Sequence, residues 1–260
     1  MQQRDLKLTL VQTDITWEAI EDNLRRLERE LAEVNDTQLI VLPEMFTTGF
    51  SMRPTSIAET MDGKAVNWLC ATARAKGVDM VGSVAIEEDG RYYNRLLWAK
   101  PDGTLLHYDK KHLFSFAGEH QHYTPGDAPL IVELNGWRIA TFICYDLRFP
   151  VWSRNVDARY DLALYIASWP ERRARHWQAL LPARAIENQS YVVGVNRIGT
   201  DGNEIRYSGD SMIIDPLGEV LFHERNQARI QTETLSRSLL DEVRSQFPFL
   251  KDADRFTLQA

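Results

Sequence analysis

The chain has 260 residues, 44% hydrophobic and 26% charged, the composition of a globular protein with a sizeable buried core. Its 37 acidic against 30 basic side chains give a net charge of −7, and the basic residues are dispersed, which argues against nucleic acid or an anionic membrane as a partner. No apolar stretch is long enough to span a bilayer, residues 1–5 lack a signal-peptide core and no linker-like composition interrupts the chain, so a cytoplasmic protein with one domain over 1–260 is expected.

Residues 6–12 alternate apolar and polar side chains and predict a first strand, followed by a helix whose Ile20, Leu24, Leu27, Leu31 and Val34 form one stripe. Residues 39–42 are a short apolar run, the mark of a strand buried on both faces, and it stops at Pro43-Glu44. A helix over 65–76 leads through Gly77 into a strand over 78–86. Asp89-Gly90 and Asp102-Gly103 mark hairpin turns between β-type runs at 92–99 and 104–109, and a polar, histidine-rich loop follows from His112 to Pro129. The second half has a similar plan. Strands at 130–134 and 137–143 flank an Asn135-Gly136 turn, and a short helix after Pro150, a strand at 162–167, a helix over about 173–188 and a strand at 191–196 come next. A hairpin near Pro216-Leu217-Gly218, a strand at 228–233 and an amphipathic helix at 236–247 leave 248–260 as a C-terminal tail. This alternation predicts an α/β fold with mixed sheets, and the likeness of the halves suggests two sheets packed together.

Only Cys70 and Cys144 are present, with no Cys-x-x-Cys and no histidine cluster at metal-ligand spacing, so no metal site is expected and His112, His120 and His122 read as loop histidines. Cys70 shares the inward face of its helix with Val66, Leu69 and Ala73. Cys144 stands where an apolar strand gives way to the polar turn Asp146-Leu147-Arg148 before Pro150. Backbone N–H groups converge on such an elbow, as a nucleophile with an oxyanion hole requires; the same run reads equally as a strand with a core thiol. Glu44, at a buried strand end, fits a proton shuttle of raised pKa or a helix cap. Lys110 and Lys111 close the strand at 104–109, where an ammonium would activate a thiol and hold an oxyanion, or simply be solvated. Glu119 is a surface charge unless its loop folds over the site.

Together these stretches resemble the nitrilase superfamily of carbon–nitrogen hydrolases. The carrying segments are Leu42-Pro43-Glu44-Met45-Phe46, Tyr108-Asp109-Lys110-Lys111-His112-Leu113-Phe114 and Ile143-Cys144-Tyr145-Asp146-Leu147-Arg148-Phe149-Pro150, in the family's order. The resemblance implies a four-layer α-β-β-α sandwich, paired into a homodimer through the segment after Cys144 and the tail. It implies Glu44 as general base, Cys144 as nucleophile and Lys110 as oxyanion stabiliser, since the pattern Lys-x-His-Leu-Phe leaves Lys111 in the variable slot. Glu119, ahead of Tyr123-Thr124-Pro125-Gly126, matches the family's second glutamate, which positions substrate or proton, and the Tyr145 N–H is expected to join Lys110 at the oxyanion. No metal or organic cofactor is implied.

Within the superfamily, residues 43–50, 176–189 and 195–203 resemble the ω-amidase branch. This implies a small-molecule amide substrate, the ω-monoamide of a dicarboxylic acid such as 2-oxoglutaramate, cleaved to the acid and ammonia through a cysteine thioester in metabolite repair. The alternatives are an N-carbamoyl amino acid hydrolase, an aliphatic amidase or, in another class, a thiol sensor. A substrate carboxylate needs a cation away from the scissile amide, which the segment after the strand at 162–167 can supply, and the resemblance implies Arg173 there in preference to Arg172. Phe46, Tyr145 and Trp169 are expected to wall the pocket.

Overall fold

Two sheets lie between two layers of helices in the structure, a computed structural model that describes residues 5–258. Residues 1–4, most of the segment scanned for a signal-peptide core, and residues 259–260 of the expected tail lie outside the described residues.

The first half supplies β1 (Leu6–Gln12), α1 (Ile20–Leu31), β2 (Leu39–Val41), α2 (Pro54–Ile57), α3 (Lys64–Lys76), β3 (Asp79–Glu88), β4 (Arg91–Ala99) and β5 (Leu105–Asp109). In this sheet β1, β2 and β3 run parallel and β3, β4 and β5 form an antiparallel meander. The period-2 alternation of side chains explains the apolar run at 39–42: Leu39 and Val41 face one core, while Ile40 and Leu42 face the core under α1 and α3. The helix of the Ile20 stripe ends at Leu31, so Val34 packs on that outer core from the loop beyond.

The second half supplies β6 (Leu130–Leu134), β7 (Trp137–Ile143), α4 (Pro150–Ser153), β8 (Leu162–Ala167), α5 (Ala174–Asn188), β9 (Tyr191–Asn196), β10 (Ile198–Thr200), β11 (Arg206–Ile214) and β12 (Val220–Arg225). Here β7, β8 and β9 are parallel, flanked by antiparallel β6 on one side and β11 on the other. The chain then returns to the first sheet as β13 (Arg229–Leu235), antiparallel to β1, and ends in α6 (Arg237–Gln246) and the tail.

Leu8, Leu10, Val41 and Trp98 of the first sheet share one core with Ile139, Leu164, Val193 and Ile213 of the second, and that core continues to Trp177 and Leu181 of α5. Gly194 permits this close approach, because a Cβ there would lie 2.5 Å from the Leu181 side chain. The strand β11 escaped sequence reading because its Ser208-Gly209-Asp210-Ser211 run has turn composition. The run forms a bulge in which Gly209 and Asp210 both have positive φ. The buried Asp210 carboxylate is satisfied by Ser208, Gln178 and His223. Among the described residues no helix is long and apolar enough to cross a membrane.

Candidate active site

The site gathers at the carboxyl ends of the parallel strands of both sheets, where open α/β sheets place their ligands. Glu44 follows β2, Cys144 follows β7, Ser168 follows β8 and Asn196 ends β9. Lys110 arrives by register. The β4–β5 pairing sets Arg95 opposite Asp109, and the next rung, closed by the Lys110 N–H on the Asn94 carbonyl (3.0 Å), sets Lys110 beside Asn94. The loop then returns beneath this strand end, with the Gly126 N–H on the Lys110 carbonyl; a Cβ at Gly126 would sit 2.3 Å from the Asp109 carbonyl oxygen. Its turn at Glu119–Gln121 brings Glu119 inside, fully buried.

Lys110, Glu44 and Glu119 therefore form a buried triad. Lys110 Nζ lies 2.9 Å from Glu44 Oε1 and 3.1 and 3.0 Å from the two oxygens of Glu119, and none of the three is exposed. Asn94 Nδ2 donates to Glu44 Oε1 (2.7 Å) and Glu119 Oε1 (3.3 Å), with its own oxygen fixed by Ser83. The second Glu44 oxygen accepts the Ser168 N–H at 2.7 Å, and Glu119 Oε2 accepts the Phe114 N–H. Burial would lower the Lys110 pKa, but the Glu119 and Glu44 carboxylates outweigh it and hold the ammonium charged. Burial raises the Glu119 carboxyl despite the opposing pull of Lys110.

Cys144 begins a tight 3-10 turn, Cys144–Arg148, and has φ of +44°, a left-handed conformation uncommon outside glycine. Asp146, fully buried, braces the elbow. It accepts the Ile143 N–H (2.9 Å), the Tyr108 hydroxyl (2.8 Å) and the His112 N–H (3.0 Å), with His112 Nδ1 at 2.8 Å. Burial pushes the Cys144 thiol well up, Glu44 pushes it further and Lys110 opposes both. These influences together favour the protonated thiol at Cys144.

A cavity of about 250 Å³ opens onto Cys144. Tyr145, Trp169 and Arg173 line it together with Arg172. Phe46 does not: it is buried in the outer core against Trp68 and seated on Gly82, and Phe50 occupies the cavity wall instead. Arg148, Phe114 and Tyr207 also line the cavity and escaped sequence reading, as did Asn94 and Ser168 beside Glu44. Asn94 stands mid-strand in β4 beside Arg95 and carries no clear signal in the sequence, and the others depend on how loops meet. Lys111, the rejected neighbour of Lys110, lies 5.5 Å from the Trp152 ring, outside the triad. His120 and His122 are exposed, and among the described residues no group of three or more His, Cys, Asp or Glu is placed to hold a metal ion. Cys70 is partly buried in α3.

The carbon-nitrogen hydrolase family profile matches residues 7–245. The chain is 50% identical to "Omega-amidase YafV" of Escherichia coli K12 over 97% of this chain and 98% of that one. It is 34% identical to a 2-oxoglutaramate amidase of Bacillus subtilis over 94% and 96%. XC1258 of Xanthomonas campestris, a CN-hydrolase superfamily protein solved with an arsenic adduct in its active site, superposes with a TM-score of 0.96 at 44% identity, covering 98% of this chain and 99% of that one.

Proposed function

The chain belongs to the carbon–nitrogen hydrolase family and is an amide-hydrolysing enzyme, and from that premise we propose that it is an ω-amidase, releasing ammonia from a small dicarboxylic acid monoamide such as 2-oxoglutaramate through a Cys144 thioester. One observation carries the substrate class: the cavity over Cys144 is lined by Arg148, Arg172 and Arg173 and, among the described residues, by no Asp or Glu. A carboxylate is the group such a wall attracts, and arginine forks suit it geometrically.

In this reading the amide carbonyl carbon meets Cys144 Sγ while Glu44 takes the thiol proton. The oxyanion is held by Lys110 and the Tyr145 N–H, donors worth roughly 3 kcal/mol each in comparable sites. Lys110 has the capacity: of its three N–H donors one meets Glu44 and one is shared by the Glu119 oxygens, which leaves one for the oxyanion. Glu44 passes its proton to the departing nitrogen as the C–N bond breaks, ammonia leaves and the thioester remains. Water, deprotonated by Glu44, attacks the thioester; the C–S bond breaks, the acid is released and Cys144 recovers its proton. Glu119 holds Lys110 in place.

Ammonia release over a panel of 2-oxoglutaramate, N-carbamoyl amino acids and aliphatic amides tests the substrate, and mass spectrometry of acid-quenched enzyme tests the acyl adduct on Cys144. Turnover of another amide class without 2-oxoglutaramate would remove the proposal.

A further inference from the structure

Asn94, fully buried in β4, touches all three members of the triad. Its carbonyl accepts the Lys110 N–H (3.0 Å), and its Nδ2 donates to Glu44 Oε1 (2.7 Å) and Glu119 Oε1 (3.3 Å), one hydrogen for each. Ser83 on β3 fixes which way the amide faces. The Ser83 hydroxyl accepts the Met45 N–H (2.9 Å), and its own hydrogen goes to Asn94 Oδ1 (3.0 Å). Turned over, the amide would set its oxygen against two carboxylates. Ser83 also ties the turn that carries Glu44 to β3, since its carbonyl accepts the Phe46 N–H (3.1 Å).

The two oxygens of Glu44 are consequently unequal. A carboxylate oxygen presents two in-plane lone pairs, and at Oε1 one meets Lys110 Nζ (2.9 Å) while the other meets Asn94 Nδ2. Oε2 accepts the Ser168 N–H (2.7 Å) and keeps its second lone pair. That same N–H favours the thiolate form of Cys144, so Oε2 is the oxygen on the side of the sulfur. A proton on Oε1 would have to displace Lys110 or Asn94. A proton on Oε2 leaves both of those bonds intact.

We propose that Asn94 is a positioning residue for proton transfer: with Lys110 it occupies Glu44 Oε1, so that Oε2 takes the proton from Cys144 and returns it to the departing nitrogen. Ser83 locks the amide in the orientation this needs. In the first step the S–H bond breaks and an Oε2–H bond forms; in the second that bond breaks as the nitrogen gains its hydrogen and leaves. Lys110 keeps its place throughout, because nothing at Oε1 changes. The inference rests on the reading of Glu44 as base and adds the atom that acts and the residues that select it.

Steady-state ammonia release against pH, on whichever amide of the panel above the wild type turns over fastest, tests this. The charged and titratable groups facing Glu44 are Lys110 after β5, Glu119 and Tyr123 of the following loop, Cys144 after β7 and Tyr207 of β11, and the variants leave all of them in place. Asn94→Leu keeps the branched shape and removes both donors. It is expected to lower kcat about 30-fold with KM within about 3-fold, and to move the acid limb of the kcat/KM profile about one unit to higher pH, because a carboxylate stripped of a donor binds its proton more readily. Asn94→Asp keeps the shape better still but sets a third carboxylate against the other two, and is expected to lower kcat about 10-fold further. Ser83→Ala frees the amide to turn, and is expected to lower kcat about 5-fold and shift the acid limb in the same direction. Asn94→Asp more active than Asn94→Leu would show that shape alone matters and would overturn the inference. An acid limb unmoved in both Asn94→Leu and Ser83→Ala would do the same. Undiminished kcat in Glu44→Gln would remove the base reading and this inference with it, whereas loss in Glu44→Gln beside wild-type kinetics in Asn94→Leu overturns the inference alone. Should the Asn94 variants fail to fold, the acid limb of Ser83→Ala decides.

Discussion

Glu44→Gln separates two effects that the site combines. The carboxylate raises the Cys144 thiol and, in the proposed mechanism, accepts its proton. The amide is nearly isosteric, so its oxygen still accepts from Lys110 and Asn94, while its NH2 meets the Ser168 N–H donor to donor. One buried N–H is left unsatisfied, at a cost of about 1–3 kcal/mol, and Lys110 keeps Glu119 as a counter-charge. Losing the base from both half-reactions is expected to lower kcat by about 10³-fold, or about 4 kcal/mol of barrier. The thiol moves the other way. With the Glu44 charge gone it titrates at lower pH, so alkylation by iodoacetamide, followed against pH in a Cys70→Ala background, rises at a lower pH than in wild type. Turnover falls although the thiolate forms more readily. A variant with lower thiol pKa and unchanged or higher kcat would refute the assignment of Glu44 as base, and a higher thiol pKa would refute the electrostatic account.

Asp161 accepts ion pairs from Arg138, Arg237 and Arg244 at the start of β8 and ties α6 to the second sheet. Burial would raise its carboxyl, but the hydrogen bonds and charge of Arg138, helped by Arg244, hold it below its ordinary value of 3.8. A depressed folded-state pKa contributes stability above that value and loses it as pH falls through the folded one, so Asp161→Asn is expected to cost about 3 kcal/mol at pH 7, with the Tm gap to wild type closing below about pH 3.8; a gap constant with pH would refute this. We also propose the homodimer, formed across α4 and the tail, where Val151, Phe249 and Phe256 are exposed. Light scattering is expected to give twice the 30.0 kDa chain mass, and Phe249→Asp with Phe256→Asp to return the monomer; a monomeric wild type would refute it.

Strand ends were the most legible feature of the sequence. The apolar runs before Glu44 and Cys144 stop at polar residues, and the strand bounds at 6–12, 130–134, 137–143, 162–167 and 191–196 coincide with β1, β6, β7, β8 and β9. Phe46 was misread because proximity in sequence to Glu44 says nothing of direction. Met45 has φ of +46°, so the turn swings Phe46 outward onto Gly82 and brings Phe50 to the cavity. Arg148 was quoted within the motif and given no task, since only the 3-10 turn carries it back over Trp169.

The elbow and the triad are a single construction. A left-handed non-glycine residue costs roughly 1–2 kcal/mol and persists only where its surroundings over-determine it. At Cys144 that support comes from Asp146, and Asp146 is held largely by the segment that carries Lys110. Tyr108 lies at the end of β5, and Lys110 and His112 follow it where the chain leaves the strand and bends. The outer two fix Asp146, and with it the sulfur, while the middle one joins Glu44 and Glu119. Displacing this stretch would move the Cys144 sulfur and the Lys110 ammonium together. One short segment therefore fixes both the Cys144 elbow and the Lys110 ammonium, and its bend sends Lys111 to the Trp152 ring, leaving Lys110 as the lysine beside Glu44 and Glu119.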